Sequence, residues 1–435
     1  MGRLRARIEY NLKEIRQKGL ACVFLKALKL CARAGAVVLA IPVVAVVVIL
    51  KPFVRVRFGR LRSDRLGHCA YEPERYLCQR DAGLHGWPNF DIFYHEGKVS
   101  NRQLKKMLDV SGLRILKISR RGGWFMKYVC LLLKWLPGGK EHVLVIAGYG
   151  EFSARWTLSR TSAHLSFSPE EEKKGKEALA KMGVPAGREY VCIYARDSAY
   201  MGWQFPGRDW SYHNYRDDSI QDYLLAAEML TQRGYFVIRM GHIVKENLKT
   251  SNLMIIDYAT NGFRSDFLDI YLPAKCRFFL GNPSGLIAIP AIFRRPMAYV
   301  NFSQPGAFYN WDLNGIFIWK RVWLRKEGRF LTFREMLQLN LPIDFDRKDL
   351  KRIADLGEMD IVDNSPEEIR DLAIEMEERI LGTWRMPQEA QVLQGKVRVL
   401  YPHIPDEVKI STVGAKFICQ NAELLNDRVF NTAGV

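Results

Sequence analysis

Acidic residues are scarce in the first third of this 435-residue sequence. Residues 1–150 contain 28 Lys and Arg against 10 Asp and Glu, whereas residues 151–435 contain 37 of each, so the formal net charge of +18 arises entirely in the first third. That part has no zinc-finger spacing, no aromatic RNA-binding signature and no helix-turn-helix pattern, which argues against nucleic acid as a partner. The excess of positive charge instead favours an anionic membrane surface.

Cysteine pairs with C-x-x-C spacing are also missing. The eight cysteines are scattered, and several lie inside apolar runs, so we expect buried, reduced thiols in a cytosol-facing protein. The sequence has no internal repeat and no long low-complexity linker. Its hydrophobic content of 48% and aromatic content of 12% exclude a disordered chain.

One uncharged run, residues 34–50, predicts a membrane segment. As a helix its 17 residues would extend about 26 Å, slightly less than the hydrocarbon core of about 30 Å. No cleavage-site pattern follows, so we expect a retained anchor rather than a signal peptide. Pro42 interrupts the run and both flanks are basic. Two alternatives therefore stay open: an ordinary span, or a kinked segment that enters and leaves on the cytoplasmic side.

Two nearby segments are amphipathic. Lys26, Lys29 and Arg33 recur at spacings of three and four among apolar residues, which is typical of a helix at a membrane interface. Residues 124–137 place two lysines among leucines and aromatic residues. A second interfacial helix and a buried core helix both fit that pattern.

Alternating strand-like and helix-like segments after residue 50 predict an α/β fold with two Rossmann-like domains and an N-terminal membrane-anchoring helical segment. We expect an anchor at 1–50, a first domain at 51–165, a second domain at 166–335 and a C-terminal helical extension at 336–435. Strands are predicted at 53–61, 89–97, 113–119, 142–148, 190–196, 235–241, 253–259, 276–282 and 296–302. Helices are predicted at 100–112, 168–185, 220–234, 265–275 and 364–381.

A turn of small residues, Asn282, Pro283, Ser284 and Gly285, separates two apolar segments. One interpretation is a tight connection from a strand to a helix. The other is a phosphate contact, because a helix N-terminus offers free backbone N–H groups and glycine lets a phosphate approach the backbone.

Arg196 ends a predicted strand, and Asp197 and Tyr200 follow it. Ligands of parallel sheets bind at the carboxyl ends of strands, where the planar fork of an arginine can bind a diphosphate. Asp197 is predicted to orient Arg196. A surface ion pair is the alternative.

The loop before the next helix concentrates His213, Tyr215, Arg216, Asp217 and Asp218. Such a density of ionisable and aromatic groups favours a binding loop over a mere connection, although helix capping also explains aspartate there.

Further candidates lie where strands end or helices begin: Arg239, Gly241, Asp257, Arg264, Ser265 and Asp266. Arg239 could reach the same crevice, and a ribose or base contact is expected at Asp257. Local capping is the alternative for Arg264 and Asp266.

In the first predicted domain, Asp64 and His68 flank a glycine before a helix pattern. Histidine is the side chain best suited to accept a proton near neutral pH, so His68 is a candidate general base. A structural histidine in a turn is the alternative.

Together these motifs resemble a family of bacterial glycosyltransferases from surface-polysaccharide loci, over roughly residues 53–380. The most specific segments are "YARDSAY", "HNYRDDSIQDYLLAAEMLTQRGYFVIRMG", "IIDYA", "RSDFLDIYLPAKCRFFLGNPSG" and "FRRPMAYVNF". The second domain resembles the donor domain of GT-B glycosyltransferases, including the fucosyltransferase-like branch. The first domain would then be the acceptor side.

The resemblance implies that Arg196, Ser284 and Gly285 contact the donor diphosphate. It also implies no bound metal and no cofactor beyond the nucleotide sugar as donor substrate. The "LGH" turn is similar in placement to the "GD" turn of heptosyltransferase-like enzymes, which implies His68 as the base. Asp64 and Asp217 stay open as alternatives.

The expectation is a membrane-associated hexosyltransferase-like enzyme at the inner membrane, with its catalytic domains facing the cytoplasm. Its partners would be a nucleotide sugar, a lipid-linked or polysaccharide acceptor and an anionic membrane surface. Two alternatives remain: an inactive membrane scaffold with the same fold that organises a polysaccharide assembly complex, or a pyruvyl-type transferase acting on a glycan.

Overall fold

The structure is a computed structural model that describes residues 20–86, 89–95, 98–146, 158, 160–204, 206–207, 209–303, 315–338, 359–402 and 411–426. Its helices are α1 Leu20–Leu50, α2 Leu66–Asp81, α3 Arg102–Asp109, α4 Arg120–Trp135, α5 Pro169–Lys181, α6 Ala199–Gln204, α7 Leu224–Gln232, α8 Leu268–Lys275, α9 Ala288–Ile292, α10 Phe333–Gln338, α11 Pro366–Leu381, α12 Gln388–Val399 and α13 Ala415–Gln420. Its strands are β1 Arg55–Leu61, β2 Asn89–His95, β3 Val143–Leu144, β4 Tyr190–Tyr194, β5 Phe236–Arg239, β6 Ile255–Asp257, β7 Phe279–Gly281, β8 Met297–Phe302, β9 Ile316–Trp319, β10 Arg321–Leu324, β11 Arg329–Phe330, β12 Met359–Val362 and β13 Thr412–Val413.

The chain forms a mixed α/β structure of two compact units. The first comprises the described parts of Met1–Asp64, His85–Lys98 and Leu113–Ile146. The second comprises those of Arg65–Leu84, Val99–Gly112 and Ala147–Val435. Helices α2 and α3, which precede residue 165, therefore belong to the second unit.

The first unit contains a parallel three-stranded sheet in the order β2-β1-β3. Arg57 of β1 donates from Nε and Nη2 to the carboxylate of Asp91 on β2, both at 2.6 Å. The pair satisfies both charges at this position. The strand predicted at 113–119 is wrong: Ile115 forms only an isolated bridge to Phe93.

Helices α1 and α4 complete the apolar core of the first unit. Val44 and Val47 of α1 belong to one cluster with Val129 and Leu133 of α4 and Phe58 of β1. Within the described residues, Leu30–Leu50 is long and apolar enough to cross a membrane, a property that core helices and signal sequences share. It is weak evidence for an anchor by itself.

The second unit contains a parallel seven-stranded sheet in the order β13-β9-β8-β7-β4-β5-β6. From β4 the chain proceeds to β5 and β6 on one side, then returns to β7 on the other. Strands β4 and β7 thus flank a topological switch point, where ligands of open α/β sheets bind. A smaller antiparallel sheet has the order β11-β10-β12.

Local signals located most elements of the second unit. Helix α5, predicted from residue 168, begins with a capping box in which Ser168 accepts from the Glu171 N–H. Helix α11 has a second capping box, from Ser365 to Glu368. The N-cap of α3, a helix predicted from residue 100, is Asn101, which accepts from the Leu104 N–H at 2.8 Å.

Three other expectations differ from the structure. The segment after Asp197, predicted as a loop, contains α6 and a 3₁₀ turn at Ser211–Arg216. The C-terminal part, predicted as helical, also supplies β12 and β13. The apolar helix after Gly285 is the five-residue α9, which starts only at Ala288. The turn at 282–285 therefore does not form a helix N-terminus.

Candidate functional site

A cavity of about 270 Å³ lies within the second unit, at the carboxyl ends of β4, β5 and β7. Its walls include residues 194–197 after β4, 240–244 after β5 and 284–288 after β7, together with the start of α2 at residues 65–68. It therefore sits at the switch point of the sheet, where the sequence pattern placed a ligand crevice.

The cavity wall is cationic. Four arginines and two aspartates line it: Arg65, Arg196, Arg216, Arg264, Asp197 and Asp269. This excess of positive charge in a concave site favours an anionic ligand.

The start of α2 contacts the turn between β7 and α9, backbone against backbone. A Cβ atom on Gly67 would lie 2.9 Å from Gly285 Cα, and one on Gly285 would lie 3.3 Å from the Gly67 nitrogen. A side chain at Gly67 would force one backbone segment to move, and one at Gly285 would be a tight fit. The N-cap residue of α2, Arg65, makes no side-chain capping bond. The 16-residue α2, rather than α9, thus brings a helix N-terminus to the cavity wall.

Arg196 is held at the end of β4 by bonds to its backbone and its side chain. Its N–H donates to Asn282 Oδ1 at 2.9 Å. Its Nη1 donates to the carboxylate of Asp217 and to the His213 carbonyl at 3.3 Å. Burial, then the nearby Arg216, lowers the pKa of Arg196. The guanidinium nevertheless stays charged at neutral pH because its ordinary pKa exceeds 12.

The partner of Arg196 is Asp217, and the prediction that Asp197 orients it is wrong. Asp197 accepts from the backbone N–H groups of Ala199 and Lys245, each at 2.8 Å. It thereby ties the segment after β4 to the one after β5. The 3₁₀ turn at Ser211–Arg216 positions Asp217 instead, a contact that no local sequence signal indicates.

A buried polar network supports the same loop. The Asp218 carboxylate accepts from Tyr223 Oη at 2.6 Å, Asn301 Nδ2 at 2.8 Å and Asn282 Nδ2 at 2.9 Å. Lys320 Nζ donates to the Asp217 carbonyl at 2.7 Å. Burial raises the pKa of Asp218 to about 7, even though hydrogen bonds from Tyr223 and Asn301 oppose the shift. Asn301 has a φ of 52°, a left-handed conformation that asparagine tolerates.

His68 lines the cavity and pairs with a carboxylate one helical turn later. Its Nδ1 lies 3.0 Å from Glu72 Oε1, and both side chains are buried. A carboxylate only accepts, so this bond places the proton on Nδ1 of a neutral ring and the lone pair on Nε2. The sequence pattern indicated His68 but not Glu72. The spacing of four residues between them on a helix predicts that their side chains are neighbours, so this signal was available.

The segments after β5 and β6 carry a second set of polar side chains. Asp269 accepts from Arg264 Nη2 at 2.7 Å and Tyr258 Oη at 2.9 Å, and burial raises its pKa to about 6. His242 has its pKa lowered to about 4, by burial and then by Arg264, so it is neutral at pH 7. Its ring centroid lies 5.6 Å from that of Tyr200.

The cavity brings together ten of the predicted residues: His68, Arg196, Asp197, Tyr200, His213, Arg216, Gly241, Arg264, Ser284 and Gly285. The structure does not place the others along it. Arg239, which is buried, donates to the half-buried Asp257 at 2.8 Å, and neither residue lines the cavity. The prediction that both reach the crevice is therefore not supported by their positions.

The remaining predicted residues have structural contacts. Ser265 caps the first turn of α8 by accepting from the Leu268 N–H at 3.2 Å. Asp266 accepts from the Arg102 N–H at 2.9 Å. Asn282 and Asp217 bind Arg196. Tyr215 does not line the cavity. Asp64 belongs to the first unit.

One group of side chains in the second unit has metal-ligand chemistry: Glu74, Cys78 and His164. The guanidinium of Arg294 lies among them, donating to Glu74 Oε1 at 2.7 Å and Cys78 Sγ at 3.3 Å. Burial raises the pKa of Cys78 to about 11, which keeps its thiol protonated. A resident cation and a neutral thiol do not fit a metal ion. Asp344 and Asp346, at D-x-D spacing, lie outside the described residues.

No protein-family model and no curated protein matches this chain. Among solved structures, it is similar to the ADP-heptose LPS heptosyltransferase II of E. coli, with 14% identity over 74% of this chain and 100% of that one and a TM-score of 0.42. It is also similar to a family 9 glycosyl transferase from Veillonella parvula DSM 2008, with 11% identity over 60% and 85% of the two chains and a TM-score of 0.39. Likeness at this level leaves fold and function to be argued from the chain's own residues.

Proposed function

We propose that this chain is a membrane-associated glycosyltransferase of GT-B type that transfers a sugar from a nucleotide-activated donor to a lipid-linked or polysaccharide acceptor. The observation that carries the proposal is the cationic cavity at the β4/β7 switch point. Arg196, the start of α2 and the turn at Ser284 and Gly285 line it together, and the start of α2 contacts that turn. This combination fits a diphosphate.

The chemistry follows from the polar groups on the cavity wall. The His68 Nε2 lone pair would take the proton of the acceptor hydroxyl while that oxygen forms a bond to the anomeric carbon. The bond from this carbon to the diphosphate oxygen breaks, and Arg196 stabilises the charge on the departing diphosphate. Glu72 stabilises the imidazolium, a role that requires the observed 3.0 Å bond to Nδ1.

Two alternatives for the base have weaker support. Asp217 is engaged by Arg196 and lies outside the cavity wall, and Asp64 belongs to the other unit. We therefore assign the base to His68. Tyr200, His242 and Arg264, from the segments after β4, β5 and β6, would face the nucleoside end of the donor, since they lie together on the cavity wall.

The first test is nucleotide binding. Thermal-shift scans of the full chain against UDP, GDP, CMP and ADP should find stabilisation by one of them, and transfer assays would then use the matching sugar nucleotides. Stabilisation by none would favour the non-catalytic scaffold. Nucleotide binding without sugar transfer would leave transfer of a non-sugar group such as pyruvyl to be tested.

The second test separates the role of Arg196, which is to bind the diphosphate, from the role of His68, which is to act as the base. Arg196→Ala should lower kcat by about 100-fold or more, as loss of one charge-stabilising donor usually does. His68→Gln and Glu72→Gln should lower kcat while leaving the nucleotide-induced thermal shift intact. Arg325→Ala removes an exposed arginine that pairs with Asp360, and it should change nothing. Full activity in Arg196→Ala would refute the diphosphate clamp.

A further inference from the structure

Helix α1 of the first unit has one buried side, although it is apolar all round in its second half. Ala36, Ala40, Val44 and Val47 are at most 7% exposed and recur at spacings of four, four and three. The last three belong to the core cluster that includes residues of α4. The second half of α1 is therefore a core helix of the first unit.

The opposite side of the same half-helix is apolar and exposed. Val38, Leu39, Ile41, Val46 and Ile49 are 55–69% exposed. No charged residue occurs between Ala34 and Leu50. Soluble monomers rarely expose contiguous apolar surface of this kind, so it marks an interaction site.

Helix α4 exposes a narrower apolar stripe of the same first unit. Trp124, Leu131 and Trp135 are 38%, 43% and 80% exposed, at spacings of seven and four that place them on one side of the helix. Lys127 and Lys134 are exposed beside them. Tryptophan with lysine at its flank is typical of a helix lying at a membrane interface, where the ammonium reaches the headgroups.

The packing of α1 argues against an ordinary span, even though Leu30–Leu50 is long and apolar enough for one. The uncharged run 34–50 coincides almost entirely with the half of α1 that packs in the core. Upstream of it, Lys26, Lys29 and Arg33 interrupt the apolar residues. A span through Leu30–Leu50 would place this half of α1 in the hydrocarbon core, where the open sheet that contains Phe58 cannot follow it. It would therefore have to withdraw Val44 and Val47 from the core of the first unit.

We propose that the first unit lies on an anionic bilayer as a monotopic attachment, with α1 and α4 in the plane of the membrane and neither crossing it. The docking surface consists of Val38, Leu39, Ile41, Val46 and Ile49 of α1 with Trp124, Leu131 and Trp135 of α4. This inference deepens the membrane association of the proposed function and does not depend on sugar transfer.

The positive charges near the docking surface favour a bilayer, rather than a second copy of the chain, as the partner that covers this surface. Exposed cationic side chains accompany the docking surface, among them Arg33, Lys51, Lys127 and Lys134. Anionic lipid headgroups complement them, whereas a symmetric dimer would bring like charges together.

The binding test uses the purified full chain and vesicles containing phosphatidylglycerol. Leu131→Glu should lower the vesicle partition coefficient by about tenfold or more, because it places a carboxylate on the inserted stripe. Leu253→Glu makes the same change at a residue of the second unit that is 93% exposed, and it should partition as wild type. Circular dichroism confirms that both variants fold. Equal partitioning of both variants would overturn the proposal.

The topology test compares N-terminal and C-terminal epitope tags in inside-out membrane vesicles. Monotopic attachment predicts that protease removes both tags. Protection of the N-terminal tag alone would show a span, and a stable dimer without vesicle binding would show a protein interface; either result overturns the proposal. Because neither assay needs a sugar nucleotide, their failure is distinguishable from failure of the proposed function.

Discussion

The two units place polar and apolar side chains in opposite ways. The first has a small three-stranded sheet, an apolar core and apolar side chains on its outside. The second has a seven-stranded sheet and buries charged side chains where its strands end, including Arg196 and Arg239. Exposed apolar surface suits an apolar solvent such as a bilayer, whereas buried charge in a cavity suits a small charged ligand. The difference supports a division of labour between attachment and chemistry.

The positive charge of the two units is used differently as well. In the first third of the chain the excess is large and spread over the sequence. After residue 150 acidic and basic residues balance, yet Arg196, Arg216 and Arg264 converge on one cavity. Positive charge that is spread over a surface attracts an extended anionic surface. Positive charge that converges on one cavity binds a single small anion.

The largest expected loss of stability comes from a substitution in the core of the first unit. Val44→Asp would bury a carboxylate in an apolar cluster and should destabilise that unit by several kcal/mol, since no partner for the charge is present there. Val38→Asp, at an exposed position of the same helix, should leave stability unchanged within about 0.5 kcal/mol. Hydrogen exchange of peptides covering β1 and β2 measures both. Equal exchange in the two variants would show that α1 is not a core helix.

An intermediate effect is expected where two backbones meet in the second unit. Gly67→Ala places a Cβ atom 2.9 Å from Gly285 Cα and should cost about 1–3 kcal/mol, because neither backbone segment can yield without moving the cavity wall. Gly395→Ala is the control: no atom lies within 4 Å of its added Cβ, and inside α12 the change should stabilise by about 0.5–1 kcal/mol. Urea unfolding gives both values. Two changes of the same sign would contradict the Gly67–Gly285 contact.

The smallest effect is a pH dependence peculiar to the second unit. The pKa of Asp218 is raised to about 7, so between the ordinary carboxyl pKa of about 4 and pH 7 the folded chain holds a proton that the unfolded chain has released. This contribution to stability is complete below pH of about 4 and is lost as the pH rises through about 7.

Asp218→Asn should remove that component. The slope of the free energy of unfolding against pH, measured by urea unfolding between pH 5 and 7.5, should become less negative by at most about 1.4 kcal/mol per pH unit for one proton. Asp360→Asn, which alters an exposed carboxylate paired with Arg325, should keep the wild-type slope. An unchanged slope in Asp218→Asn would show that Asp218 ionises normally in the folded chain.

Local sequence signals located much of the second unit because they act over a few residues. Each predicted strand between residues 190 and 302 is present, as β4 to β8, since buried parallel strands are continuous apolar runs. The capping boxes at Ser168 and Ser365 are present for the same local reason. The prediction of a strand at 113–119 is wrong because the mixture of apolar and basic residues there fits an exposed connection as well as a strand.

The sequence by itself determined the α/β class, the strand ends that carry Arg196 and Ser284, and the uncharged run of α1. Only the tertiary structure decided which of these residues meet. It paired Arg196 with Asp217, set Gly67 against Gly285, brought His68 to the cavity of the second unit and packed Val44 into the core of the first. Propensity, capping and apolar periodicity act between near neighbours. Contacts between distant residues depend on strand order and helix packing, which no short pattern encodes.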